Sequence, residues 1–272
     1  MDLFLDMFSY TFIVYALIAG SLIAVCSALL GVPLVLKRYS MIGDGLSHVA
    51  FGSMAIAMAL NASPLMISIP ITVLSAFLLL RVSSNSNIKG DSSVALISTS
   101  SMALGILITS MTSGLNTDVT SFLFGSILSI AKTDVIISII LAVVVVGFFI
   151  LFYNRIFGIT FDENFSNATG TKVSVYNSLI AVLTALTVVI GMRLMGAMMI
   201  SSLIIFPSLS AMRIFKSYKS VTLCASLVSI ICFFIGIVIS FIVSSPAGAT
   251  IVVINLVIFL IFALLERIKC IF

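Results

Sequence analysis

Of 272 residues, 61% are hydrophobic and only 8% are charged, with a mean hydropathy of +1.36. So few polar side chains cannot cover a soluble globule, and the chain reads as an integral membrane protein. The net charge of +4 comes from Lys and Arg scattered between apolar runs, which form no basic stripe and argue against nucleic acid as a partner.

Taken in order, the apolar runs predict helical spans at about 11–36, 41–60, 63–81, 93–113, 134–153, 174–192, 194–213, 220–243 and 249–266. That makes nine, with eight as the alternative. Ser121 to Ile130 is too short to cross alone and reads as an interfacial or re-entrant piece. The first run has no basic segment or small-residue cleavage site before it, so it is expected to be a retained span. Cys26, Cys224, Cys232 and Cys270 include no C-x-x-C pair, and no disulfide or thiolate metal site is expected. No glycine-rich phosphate loop is present, so ATP is not expected to be split here by that route.

The basic residues predict the orientation. With the N-terminus outside, Lys37, Arg38, Arg81, Lys89, Arg155, Lys172, Arg213, Lys216, Lys219, Arg267 and Lys269 lie inside, which is 11 of the 13. Only Lys132 and Arg193 fall outside, together with Asp2, Asp6, Asp118 and Asp134.

The second span carries the only histidine. Asp44 and His48 are four residues apart, so on a helix they share one face, with Cβ atoms about 6 Å apart. Only 12 uncharged residues separate His48 from the turn at Asn61, about 18 Å of helix against a hydrocarbon core of about 30 Å. The span therefore starts near Met41 and draws both ionisable groups into the membrane, where such groups face a bundle interior or a wet cavity. The pair reads as a metal site; a plainer reading makes Asp44 a helix N-cap and His48 a donor to a backbone carbonyl.

The segment Asn154 to Lys172 interrupts the apolar pattern on the inner side. Asp162 or Asn164 can cap a short helix over Glu163 to Thr169, with Gly170 at its C-terminus, and Phe165 lies within it. Such a helix suits docking by a soluble partner, while composition alone also allows a solvated loop. Further on, Arg193 to Ala211 places the small residues Gly196 and Ser201 and the helix-bending Pro207 in one run. The nearby methionines at helical spacing read as packing and not as ligands.

Four motifs in this order, GDGLSHVAFG at 43–52, SFLFGSIL at 121–128, FDENFSNATG at 161–170 and RLMGAMMISSLIIFPSLSA at 193–211, resemble the ABC-3 permeases. These are the membrane subunits of bacterial zinc, manganese and iron ABC importers. The resemblance covers most of the chain. It implies an all-α polytopic bundle of the type II importer kind, forming one transmembrane permease domain with a cytoplasmic coupling segment at about 155–172. It also implies that Asp44 and His48 hold the transported Zn²⁺ or Mn²⁺, that Asp162, Glu163, Phe165 and Gly170 couple to a separate ABC ATPase subunit, and that an extracytoplasmic metal-binding protein delivers the ion. The bacterial cytoplasmic membrane is the expected location, with no permanently bound cofactor.

Two ligands are too few where Zn²⁺ usually takes four, so a homodimer is expected to pair two Asp and two His about its axis. Gly196, Ser201 and Pro207 are expected to serve packing along the path. Two rival transporter readings are a permease for siderophore or vitamin B12 type chelates, which shares the spans around a coupling segment but has no use for a buried Asp/His pair, and a proton-coupled metal carrier with Asp44 as its proton relay. An intramembrane metalloenzyme does not fit, because one histidine and no H-E-x-x-H motif cannot build a His-rich catalytic site within a chain.

Overall fold

In hydrocarbon every backbone N–H and C=O must be satisfied within the fold, and the long apolar runs do this by forming helices. The computed structural model describes residues 10–85, 90–112, 125 and 130–271, and among these there are helices and no strand. In chain order they are α1 (Thr11–Leu36), α2 (Ile42–Ala59), α3 (Pro64–Asn85), α4 (Gly90–Met111) and α5 (Lys132–Phe161). After the short α6 (Glu163–Ala168) come α7 (Val173–Met195), α8 (Ala197–Ile214), α9 (Tyr218–Val243) and α10 (Ala247–Ile271).

The nine long helices occupy the nine expected runs, but only 7 of them are long and apolar enough by themselves to cross a membrane. Of the other two, α2 is diluted by Asp44, Ser47 and His48, and α3 is apolar over Pro64–Leu80. Most of the expected 121–130 segment, with Asp2, Asp6, Lys89 and Asp118, lies outside the described residues.

One boundary differs in a way that matters. The fifth span was expected to end near residue 153, yet α5 runs on to Phe161 with a kink at Phe152 (φ −112°, ψ 19°). The extension is amphipathic: Ile156 and Ile159 are fully buried, and the Arg155 guanidinium donates to the Tyr176 hydroxyl of α7 while lying over the Phe152 and Tyr176 rings. The first third of the expected coupling segment is therefore the end of a long helix.

The middle of the bundle is α1, which packs against α5, α7, α8 and α9. Small side chains line its buried faces, among them Ala16, Ala19, Ala24 and Ala28, and these let neighbouring backbones approach. The closest approach is at Gly31, where a Cβ would lie 2.1 Å from the Ile204 carbonyl oxygen of α8. Pro207 is buried within α8, and the helix continues through it from Ala197 to Ile214.

α2 is seated in the same manner against α3, α4, α7 and α8. A Cβ at Gly52 would meet the Ser101 carbonyl oxygen of α4 at 2.6 Å, and Gly43 and Gly45 face Ile204 of α8 and Val94 of α4. The glycines of the 43–52 motif are thus packing surfaces, and they fix how Asp44 and His48 are turned.

Candidate functional site

Between Ile42 and Ala55 every residue of α2 is buried except Asp44 and His48. Four-residue spacing stacks the two on one face, and this is the face its neighbours leave open. The Asp44 side chain is 37% exposed and that of His48 21%. Asp44 belongs to the first turn of α2, where a carboxylate also suits the helix dipole, but it is not the N-cap: that position is Met41.

His48 Nε2 lies 3.6 Å from Asp44 Oδ2, too far for a hydrogen bond. A tetrahedral ion with bonds of about 2.1 Å spaces neighbouring donors by about 3.4 Å. One carboxylate oxygen and one imidazole nitrogen are thus set apart by the distance at which both can touch the same ion, and the donor types suit Zn²⁺, Mn²⁺ and Fe²⁺. His48 Nδ1 is buried and has no hydrogen-bond partner among the described residues.

Behind the pair stands Ser201 of α8, whose hydroxyl donates to Asp44 Oδ1 at 3.0 Å. This bond occupies one carboxylate oxygen and leaves the other facing His48. The sequence marked Ser201 only as a small packing residue; its hydroxyl contact with Asp44 depends on α2 and α8 lying side by side. Among the described residues no group of three or more His, Cys, Asp or Glu side chains forms a metal cluster, so one chain offers two strong ligands at this place.

Gly196, the third residue marked in the 193–211 run, is the single link between α7 and α8, at φ 89° and ψ 155°. That region of backbone space is open essentially to glycine alone. Gly125 packs against this link, with a Cβ position only 2.3 Å from the Met195 carbonyl oxygen. Just before it, Arg193 Nη1 lies 3.3 Å from Oδ1 of Asp134, a 5% exposed carboxylate whose Oδ2 accepts from the Ala131 backbone N–H. Two of the charges assigned to the outer side are thus partners.

At the opposite, basic-rich end, α6 is built as the sequence suggested. Asp162 accepts from the Phe165 N–H at 2.9 Å as N-cap. Gly170 at φ 82° closes the C-terminus, with its N–H on Asn167 O and the Thr171 N–H on Ser166 O, both at 3.0 Å. That is the Schellman pattern. Ser166 is turned inward, and Phe165 is 65% exposed.

Glu163 does not point at solvent alone. Its Oε1 accepts from Lys37 Nζ at 2.8 Å and from Asn177 Nδ2 at 3.1 Å, while Lys37 also donates to Asn177 Oδ1 at 2.5 Å. Burial pushes the Lys37 ammonium below its ordinary range, and Glu163 recovers only part of that shift. Burial also works to raise Glu163, but its bonds to Lys37 and Asn177 prevail and hold the carboxyl below the usual range. The two shifts have opposite meanings for pairing, and the 9% exposure of the Lys37 side chain against 48% for Glu163 is the reason. No signal in the sequence singled out Lys37 beyond its place in the charge pattern.

The ABC 3 transport family matches residues 9–266. The manganese transport system membrane protein MntC of Halalkalibacterium halodurans is 27% identical, over 92% of this chain and 85% of that protein. The high-affinity zinc uptake system membrane protein ZnuB of Haemophilus influenzae is also 27% identical, over 88% of this chain and 91% of that protein. Among solved structures, PsaBC from Streptococcus pneumoniae in complex with Fab superposes with a TM-score of 0.86 at 26% identity, covering 96% of this chain and 94% of that one. With the helical bundle, the ordered motifs and a match over nearly the whole length, this chain belongs to the ABC 3 transport family, as a membrane transport protein.

Proposed function

We propose that this chain is the permease subunit of an ATP-driven importer of divalent metal ions, Zn²⁺ or Mn²⁺ with Fe²⁺ as a further candidate, in the bacterial cytoplasmic membrane. The observation that carries the reading is the open face of α2: in a chain with 8% charged residues, an aspartate and the only histidine are the two side chains left uncovered between Ile42 and Ala55. Ionisable groups facing lipid are costly, so such a face calls for a polar path or a partner.

A second copy of the chain supplies both. Two copies about a twofold axis bring two Asp44 carboxylates and two His48 imidazoles together, which raises the donor set to the four that Zn²⁺ usually takes. The ion crosses at this interface, and the site must also release it, so weak or incomplete coordination suits transport. Ser201 holds the Asp44 carboxylate in place, and Gly196 and Pro207 shape the helix that carries it.

The energy comes from a separate ABC ATPase subunit that grips α6, with Phe165 as the exposed apolar contact and Asp162, Glu163 and Gly170 fixing the helix. A metal-binding protein presents the ion from the other side. The manganese and zinc transport names of the two relatives support the choice of ions.

Uptake of Mn²⁺ and of Zn²⁺, measured separately in cells making this chain with its ATPase and binding protein, tests the reading. Asp44→Ala and His48→Ala at matched membrane abundance should each abolish uptake of the same ion. Wild-type uptake in both variants would remove the site.

A further inference from the structure

Lys37 ends α1 as its C-cap residue, and its side chain is only 9% exposed while its partners belong to α6 and α7. Long flexible cations at helix ends normally reach for solvent. This one is turned inward onto two bonds, to Glu163 and Asn177, at the margin of a groove of about 590 Å³ lined by Tyr39, Phe77, Glu163, Asn167 and Asn177.

The chain beyond Lys37 is stiff. Arg38 has φ 63°, its N–H bonds to Val35 O at 3.0 Å and the Tyr39 N–H bonds to Leu34 O at 2.8 Å. Those are the two bonds of a Schellman motif, here closed by an arginine where glycine is the usual residue. The Ile42 N–H then bonds back to Tyr39 O at 3.0 Å and the Gly45 N–H to Met41 O at 2.9 Å. Six residues lie between the Lys37 hook and Asp44, and the Arg38, Tyr39 and Ile42 amides tie this turn through backbone hydrogen bonds.

We propose that Lys37 is a positioning residue that ties the ATPase-docking helix to the ion site: it hooks α6 and α7, through Glu163 and Asn177, to the α1–α2 turn whose far end carries Asp44. This rests on the function proposed above for α6 and for the Asp44 and His48 pair. When the partner subunit displaces α6, Glu163 draws on Lys37, and the braced turn passes the displacement to the first turn of α2. The same six-residue helix, with both ends capped, is rigid enough to move as a unit.

The test uses the whole complex, permease, ATPase and binding protein, in proteoliposomes, with Mn²⁺ and Zn²⁺ as separate probes. ATP hydrolysis and ion entry are recorded on one preparation. Lys37→Met keeps the apolar stem and deletes the ammonium; it should assemble and hydrolyse ATP within about twofold of wild type while ions moved per ATP fall about tenfold. Lys37→Arg should retain most of the transport, and exchanging the charges with Lys37→Glu plus Glu163→Lys should recover part of it. An unchanged ion-to-ATP ratio in Lys37→Met overturns the proposal. So does a proportional loss of hydrolysis and transport that neither Lys37→Arg nor the charge exchange repairs, because that pattern marks a general structural tie. Asp44→Ala on the same preparation separates the two readings: full transport by it removes the metal site, whereas the ratio in Lys37→Met bears on the hook alone.

Discussion

The Ser201 hydroxyl reaches across from α8 to donate a hydrogen bond to Asp44 at 3.0 Å, joining residues 157 positions apart. It holds one oxygen of the carboxylate and turns the other toward His48. Ser201→Ala should raise the half-saturating concentration of the transported ion about fivefold, the equivalent of about 1 kcal/mol for a bond to a partly exposed charged group. Ser201→Thr, which keeps the hydroxyl, should stay near wild type. Equal uptake curves for Ala and Thr would show that Asp44 does not need this support.

Two glycines should respond in opposite directions to the same methyl group. At Gly52 a Cβ meets the Ser101 carbonyl oxygen at 2.6 Å, whereas at Gly147 nothing lies within 4 Å. Gly52→Ala should destabilise the bundle by about 1–3 kcal/mol through overpacking. Gly147→Ala should leave it unchanged or stabilise it by up to about 1 kcal/mol through helix propensity. Thermal unfolding in detergent reads both, and a lower midpoint for Gly147→Ala would contradict the account.

The two caps of α6 are separable from its contact surface. Asp162→Ala removes the bond to the Phe165 N–H and should weaken the helix by about 1 kcal/mol, seen as faster amide exchange over residues 165–170. Phe165→Ala should leave that exchange unchanged and weaken retention of the ATPase subunit in pull-down. If Phe165→Ala retains the ATPase as wild type does, α6 is not gripped through this side chain.

The Lys37 and Glu163 pair should loosen in acid. Glu163 is held below its ordinary 4.5 in the folded chain, so the stabilisation it brings is complete above that value and is lost as pH falls through the lower folded value. On the alkaline side Lys37 sheds its proton below its ordinary 10.5, and the ion pair ends there. Protection of the α6 amides, their exchange corrected for the intrinsic rate at each pH, should therefore be highest between those limits and fall in acid, and Glu163→Gln should flatten the acid arm. An acid arm of the same size in Glu163→Gln would assign it to another carboxylate.

Local chemistry was legible in the sequence, and tertiary pairing was not. Asp162 and Gly170 announced the ends of α6 because capping depends on a few adjacent residues, and Asp44 with His48 announced a shared face because helical spacing fixes it. The continuation of α5 to Phe161 was missed: Arg155 and Asn154 looked like the start of a loop, and only the packing of Ile156 and Ile159 and the contact with Tyr176 show why the helix persists. Asp134 and Arg193 were both visible as outer charges, yet their pairing depends on the start of α5 meeting the end of α7. The same holds for Lys37, whose partners lie 126 and 140 residues away.

Glycines at 43, 45 and 52 give α2 flanks without knobs where it meets α8 and α4. The Ile204 and Val94 side chains fill two of these notches and the Ser101 carbonyl the third, so α2 is keyed into its neighbours at three points. A methyl group at any of them would lift the helix off its seat and turn the Asp44 and His48 face without touching a ligand.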